Sequence, residues 1–175
     1  MHPLMLHRTC DLGPVRAITA AIAPTAGGCT AEFRIEGDIG RIIVPGPGTG
    51  ERRDELWKTT CCEFFWQPIG GSTYYEFNLS PSGDWAAYRF DEYRQGMSDI
   101  PVEAITVACS LSRQGDLGVL VVKADIAADF ASPAQVGLTA VIEHDDGELQ
   151  YWSLAFPPGK PDFHSEACRQ LIVER

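Results

Sequence analysis

What this chain lacks narrows its chemistry first. No stretch approaches the roughly 20 consecutive apolar residues that cross a bilayer, and the opening MHPLMLHRTC has neither the charged n-region nor the long apolar run of a secretory leader. Those two absences point to a cytoplasmic protein. Basic residues are few: 14 Lys and Arg stand against 24 Asp and Glu, a formal net charge of -10, with no long basic run. Such a field repels phosphate backbones and anionic lipid, so nucleic acid and membranes are disfavoured as partners. Catalytic signatures are missing as well. There is no G-x-S-x-G elbow, H-E-x-x-H helix or H-x-E…P-C-x-x-C pattern, so nucleophilic and zinc chemistry find no support.

The six cysteines (Cys10, Cys29, Cys61, Cys62, Cys109 and Cys168) never take C-x-x-C spacing, and several lie in apolar runs where a free thiol acts as a small hydrophobe. Cys61 and Cys62 are adjacent, so on a strand they point to opposite faces and cannot share a metal. Asp84, Asp91, Asp145 and Asp146 sit near turns without the ordered oxygen spacing of a calcium loop. No cofactor or metal is therefore expected. Helical periodicity is scarce too: residues 15–23 favour strand through Ile18, Thr19 and Ile22, residues 126–130 could form one helical turn, and residues 165–172 fit either a short helix or a closing strand.

What is abundant is alternation. Strand-like runs cover residues 31–35, 41–44, 56–66, 73–80, 85–90, 102–111, 117–125, 136–143 and 149–156, separated by Gly, Pro, Asn and Asp. That pattern predicts an all-β, antiparallel β-sandwich built as one domain over residues 1–175, a length at which roughly 70% of the chain's surface can be buried without disulfides. Residues 74–94 carry the densest signal. Tyr74, Glu76, Asn78 and Ser80 alternate with Tyr75, Phe77 and Leu79, and Ser80-Pro81-Ser82-Gly83-Asp84 then supplies a turn, so Trp85 onward pairs back as a hairpin. His144-Asp145-Asp146-Gly147-Glu148 is a second hairpin signal. Residues 45–54, rich in Gly and Pro, read as a flexible surface loop without the G-K-[ST] ending of a phosphate cradle.

The chain resembles the DOMON-like proteins of bacteria, a group related to the family 9 carbohydrate-binding modules. The likeness rests on residues 55–65 (ELWKTTCCEFF), 74–88 (YYEFNLSPSGDWAAY), 137–143 (GLTAVIE), Tyr151-Trp152 and Pro161-Asp162-Phe163-His164. It implies a sandwich of about ten strands with a ligand pocket on or beside one sheet, and sugar or haem as ligand classes.

Residue chemistry favours sugar. If residues 61–67, 73–80 and 85–90 are neighbouring strands, Glu63, Glu76, Asn78 and either Tyr88 or Arg89 share one face, giving fixed donors and acceptors for hydroxyls. Trp57, Trp66, Trp85 and Trp152 are the candidate plates for sugar C–H faces. The expected binding set is Trp57, Glu63, Glu76, Asn78, Trp85, Arg89 and Trp152, against the plainer reading of core indoles and a Glu76–Arg89 cross-strand pair. For haem, Met97 and His164 are the best-placed ligands, though a gap-filling Met and a hydrogen-bonded His explain them equally. Glu63 and Glu76 could also be a glycosidase pair if they flank a scissile bond. The sequence thus points to non-catalytic binding of a saccharide. A module that docks a protein partner through an aromatic face or sheet edge is the alternative.

Overall fold

The alternating runs form, in a computed structural model that describes residues 1–115 and 117–174, one antiparallel sheet that curls over itself into two layers. The strands are β1 (His2–Leu6), β2 (Val15–Thr25), β3 (Gly28–Gly37), β4 (Cys61–Pro68), β5 (Tyr74–Leu79), β6 (Trp85–Phe90), β7 (Ser98–Asp99), β8 (Ala104–Gln114), β9 (Leu117–Ala127), β10 (Ala134–Glu143), β11 (Leu149–Ser153) and β12 (Leu171–Val173). Their order is β7-β6-β5-β4-β10-β11-β1-β2-β3-β9-β8, with β12 added against β10. β1 makes the corner: His2 to Leu4 pair with β2, whereas Met5 and Leu6 pair with β11. The fold class expected from the alternation is the one observed, an all-β antiparallel sandwich. Among the described residues no helix is long and apolar enough to cross a membrane.

The core fills the space between the layers. Phe33, Ile35, Leu120 and Val122 project from β3 and β9 and meet Phe64, Trp66, Phe77 and Leu138 from β4, β5 and β10. Phe64 and Phe77 are direct cross-strand partners, stacked with centroids 4.4 Å apart. Each such side chain removed from water stabilises the fold by about 1.5–3 kcal/mol.

One layer is covered on both sides. In β2 and β3 burial alternates, but every residue of Cys61–Gln67 in β4 is buried, because the outward face of this layer lies under three connecting segments. A second apolar cluster of Phe65, Tyr74, Ala86, Tyr88, Phe90, Val141 and Phe163 occupies that face.

Both hairpins form at the expected turns. Gly83 donates to the Ser80 carbonyl at 3.0 Å and Gly147 to that of His144 at 3.0 Å, each glycine holding a positive φ (98° and 88°) that a β-carbon would strain. Elsewhere the chain departs from expectation. Ile39–Arg41 is a 3-10 turn and only Ile42 of residues 41–44 bridges, to His144; Ile39 and Ile42 are buried as plugs, so their apolar character reports packing and not a strand. Leu56–Lys58 is also a 3-10 turn, entered through Glu55 at φ 64°, and β4 starts only at Cys61. Residues 126 and 127 extend β9 instead of starting a helix, and residues 165–172 hold both a 3-10 turn (Glu166–Cys168) and the beginning of β12.

The loop at residues 45–54 is anchored. Oδ1 of buried Asp84 accepts three consecutive backbone N–H groups, from Thr49, Gly50 and Glu51 at 3.1, 3.0 and 3.3 Å, while Oδ2 pairs with Arg53 at 3.0 Å. Gly48 permits this approach, since a β-carbon there would fall 2.3 Å from Asp84. Glycine here serves close contact rather than looseness.

Candidate functional site

The covered face of β4, β5, β6, β10 and β11 carries a half-open cavity of about 750 Å³. Register lays its floor out as rows. Gly137, Phe65, Glu76 and Tyr88 form one row across β10, β4, β5 and β6; Thr139, Glu63, Asn78 and Ala86 form the next; Val141 and Tyr151 pair across β10 and β11 beyond it. Three segments make the walls and rim: Asp54, Glu55 and Trp57 before β4, Arg94 and Met97 between β6 and β7, and Lys160, Pro161, Phe163 and His164 after β11. Gly137 makes room for the last, because a β-carbon would sit 2.9 Å from the Cys168 carbonyl oxygen.

The carboxyls fall into two classes. Asp54 accepts from the Tyr88 hydroxyl at 2.6 Å and from Arg52 at 3.0 Å, which hold it below the usual carboxylate range. Glu55 is paired with Lys58 at 2.6 Å. Both lie at the exposed rim. Glu63 and Glu76 lie on the floor, only 2% and 6% exposed. Burial, reinforced by the neighbouring Glu76, pushes the Glu63 carboxyl well above its ordinary value, against a hydrogen bond from the Thr139 hydroxyl at 3.3 Å. Burial likewise raises Glu76, opposed by the Asn78 amide, which donates to Oε1 at 2.8 Å, and by the charge of Arg94.

His164 stands over Glu76. Its Nδ1 lies 2.8 Å from the Tyr74 hydroxyl, which already accepts the Arg94 backbone N–H at 3.1 Å. The phenol, already accepting from Arg94, is placed to donate its own proton to Nδ1, the tautomer that sets the imidazole proton on Nε2, 3.6 Å from Oε2 of Glu76. Burial, with Arg94 nearby, lowers the His164 pKa to about 4, so the ring is neutral at ordinary pH. In that arrangement the Nδ1 lone pair is engaged by Tyr74. Met97 is exposed at the rim. Met97 and His164, the pair considered for haem, both line the cavity, from the β6–β7 connection and the C-terminal segment.

Of the residues singled out in the sequence, Trp57, Glu63 and Glu76 line the cavity. Asn78 lies directly across from Glu63 on the same face, fully buried, and its Oδ1 has no partner among the described residues. Tyr88, not Arg89, points to this side: Arg89 pairs across from Tyr75 and forms its ion pair with Asp91. Trp85 packs against the inter-layer core from the opposite face, and Trp152 is buried in that core, its indole N–H donating to Gln150 at 3.3 Å. Those three residues are placed away from the cavity. Phe65, Phe90, Tyr151, Phe163 and Arg94 went unremarked as lining, and His164 was singled out only as a haem ligand. Alternation from Glu63 and Glu76 reaches Phe65, Tyr88 and Phe90, but the roofing segments leave no periodic trace.

No protein-family model matches the chain, and neither does any curated protein. Among solved structures it is similar to a Bacteroides uniformis ATCC 8492 protein described as a "putative carbohydrate-binding protein". The TM-score is 0.62 at 16% identity, covering 95% of this chain and 82% of the other. The likeness is one of fold.

Proposed function

We propose that this chain is a non-catalytic binding module whose ligand is a saccharide held in the cavity over Glu63 and Glu76. The observation that carries the reading is the composition of that floor: hydrogen-bonding groups fixed by strand register sit among aromatic rings in one concave site. A volume of about 750 Å³ falls in the range that encloses a small ligand. Phe65, Tyr88 and Trp57 offer rings for C–H faces, and Glu76, Glu63 and the His164 N–H offer acceptors and a donor for hydroxyls. The similarity in fold to the Bacteroides protein supports the same ligand class, and the resemblance to DOMON-like proteins and family 9 modules is the finer form of this proposal. Binding without turnover is favoured by geometry. Glu63 and Glu76 stand on adjacent strands of one floor, so a bound ring meets both from the same side, whereas a glycosidase pair flanks the bond it breaks.

Titration calorimetry with a panel of neutral and charged mono- and oligosaccharides tests the reading. Saturable heat is expected with at least one, weakened about tenfold or more by Glu76→Gln, which keeps the shape and removes the carboxylate. No heat with any sugar overturns it and moves the cavity mouth to the partner-docking alternative. Release of reducing ends from any oligosaccharide overturns the non-catalytic half.

A further inference from the structure

We infer that the ligand is an amino sugar, a hydroxylated ring bearing a free primary ammonium group, with that ammonium seated against Glu63 and Glu76. This rests on the saccharide reading of the same cavity and narrows it.

The inference starts from an imbalance of donors. Asp54 and Glu55 at the rim already have Arg52 and Lys58. Among the described residues no lysine or arginine makes an ion pair with Glu63 or Glu76, although both are almost completely buried; Arg94 is bound to Asp162 at 2.8 Å. Glu63 receives one long hydrogen bond, from Thr139 at 3.3 Å. Asn78, on the same face and fully buried, donates its amide N–H to Glu76, and among the described residues its Oδ1 has no partner. Even with a proton held on a floor carboxyl and the His164 N–H 3.6 Å from Glu76, two carboxyls and an amide oxygen on one face share few donors, and a buried acceptor left unmet costs about 1–3 kcal/mol. An ammonium supplies three donors and no acceptor. A sugar hydroxyl brings an acceptor with each donor and complements the set less well.

The surrounding rings make the same selection. Phe65 and Tyr88 flank Glu76 in its row, and Trp57, Phe90, Tyr151 and Phe163 line the rest. Aromatic faces attract a cation within about 6 Å of the ring centre. At long range the formal charge of -10 draws cations inward. Lys160, the unpaired cation of the lining, stands exposed at the mouth.

The other titratable groups of the lining are Asp54 and Glu55 before β4, Tyr88 from β6, Arg94 from the β6–β7 connection, Tyr151 from β11, and Lys160 and His164 from the C-terminal segment. Burial raises both floor carboxyls, and a cation seated against them favours their ionised forms. Binding therefore releases protons.

The test compares D-glucosamine, D-glucose and N-acetyl-D-glucosamine by calorimetry in two buffers of different ionisation enthalpy, at a pH where the glucosamine amine is charged. Glucosamine is expected to bind at least about tenfold more tightly than the other two, with buffer-dependent heat that reports proton release, and Glu63→Gln is expected to abolish both the preference and the release. Glucose or N-acetylglucosamine binding as tightly as glucosamine overturns the ammonium seat while leaving the saccharide reading intact. Methylammonium binding as tightly as glucosamine overturns the amino-sugar assignment. Absence of heat with every sugar overturns both readings. The buffer comparison is made on the native chain, so the outcome stands even if the variant fails to fold.

Discussion

The Tyr74 hydroxyl lies 2.8 Å from Nδ1 of His164 and accepts the backbone N–H of Arg94 at 3.1 Å, so one phenol on β5 ties together two of the segments that roof the cavity. Arg169 adds to the same knot: its guanidinium lies 4.4 Å from the Tyr74 ring centre and donates to the His164 carbonyl at 2.9 Å. Tyr74→Phe keeps the ring and its stacking on Phe90, centroids 4.9 Å apart, but strips a partner from both His164 and Arg94. A loss of about 1–3 kcal/mol in urea unfolding is expected, with weaker ligand binding because the His164 proton is no longer held on Nε2. Unchanged stability would show that neither bond matters.

The two floor carboxyls set a pH dependence that can be read by difference. Glu63 is raised above its unfolded value, so its protonated form is favoured by folding; that contribution is present below the unfolded value near 4.5 and is lost as pH rises through the folded one. Glu63→Gln is a permanent stand-in for the protonated form. The variant is therefore expected to gain stability over the native chain as pH rises from about 4.5 through the raised folded value, while losing ligand affinity. His164 is depressed to about 4, so its contribution is present above 6.5 and lost as pH falls toward 4; it occurs in both proteins and cancels in the comparison. Denaturant titrations of the pair at several pH values check the slope. A constant difference would mean that Glu63 is ionised in the folded chain.

Gly137 is where the site's construction and the sheet's meet. It stands in the row of Phe65, Glu76 and Tyr88, and an added β-carbon would lie 2.9 Å from the Cys168 oxygen and 3.3 Å from its carbonyl carbon, both backbone. Backbone cannot rotate aside as a side chain can. Gly137→Ala is expected to destabilise by about 1–3 kcal/mol and to speed amide exchange over residues 162–169. Exchange rates unchanged there would show that the strand, not the covering segment, gives way.

Alternation made the sheet legible and made only half of the site legible. Strands β3, β5, β9 and the hairpin at Gly147 follow from period-two patterns and turn residues, because one buried face writes itself into every second residue. β4 is the informative exception: buried on both faces, it reads as an apolar run in which Glu63 stands out as a carboxyl that must be satisfied locally. β1 was invisible, since Leu4 is its one buried residue and its pairing is split between two neighbours. The indoles misled for a related reason. A tryptophan's position in a strand fixes its face, and Trp152 pairs with Ala140 on the core side, but which side is core depends on long-range layering. His164 reaches Glu76 from 88 positions away in the chain, and no local pattern encodes that.

Asp84 offers a test of how far the rim depends on the loop before it. Three N–H groups and the Arg53 guanidinium converge on this carboxylate, and the loop leads directly into Asp54, Glu55 and Trp57. Asp84→Ala is expected to cost about 3 kcal/mol, since hydrogen bonds to a buried charge are stronger than neutral ones. It is also expected to expose residues 45–54 to limited proteolysis. Asp84→Asn, which retains one acceptor, should fall between the two. Equal cleavage of native and alanine forms would show that the glycines and prolines alone hold the loop.

Arg89 and Tyr88 are neighbours in sequence and opposites in space, and they separate the cavity from the rest of the sheet. The Tyr88 ring lines the site, with its hydroxyl on Asp54 at 2.6 Å and the Arg52 guanidinium 5.3 Å from its centre. Arg89, half exposed on the other face, meets Asp91 and Tyr75. An exposed ion pair of that kind contributes roughly 0–1 kcal/mol. Arg89→Ala is therefore expected to leave sugar binding unchanged, whereas Tyr88→Ala removes a wall of the pocket and lowers affinity by at least about tenfold. Because Tyr88→Ala also opens a gap in the second apolar cluster, Tyr88→Phe serves as its control: it keeps the ring, frees Asp54, and should retain most of the affinity. If Arg89→Ala abolishes binding while Tyr88→Ala spares it, the ligand lies on the opposite face, and the cavity over Glu63 and Glu76 is not where the sugar sits.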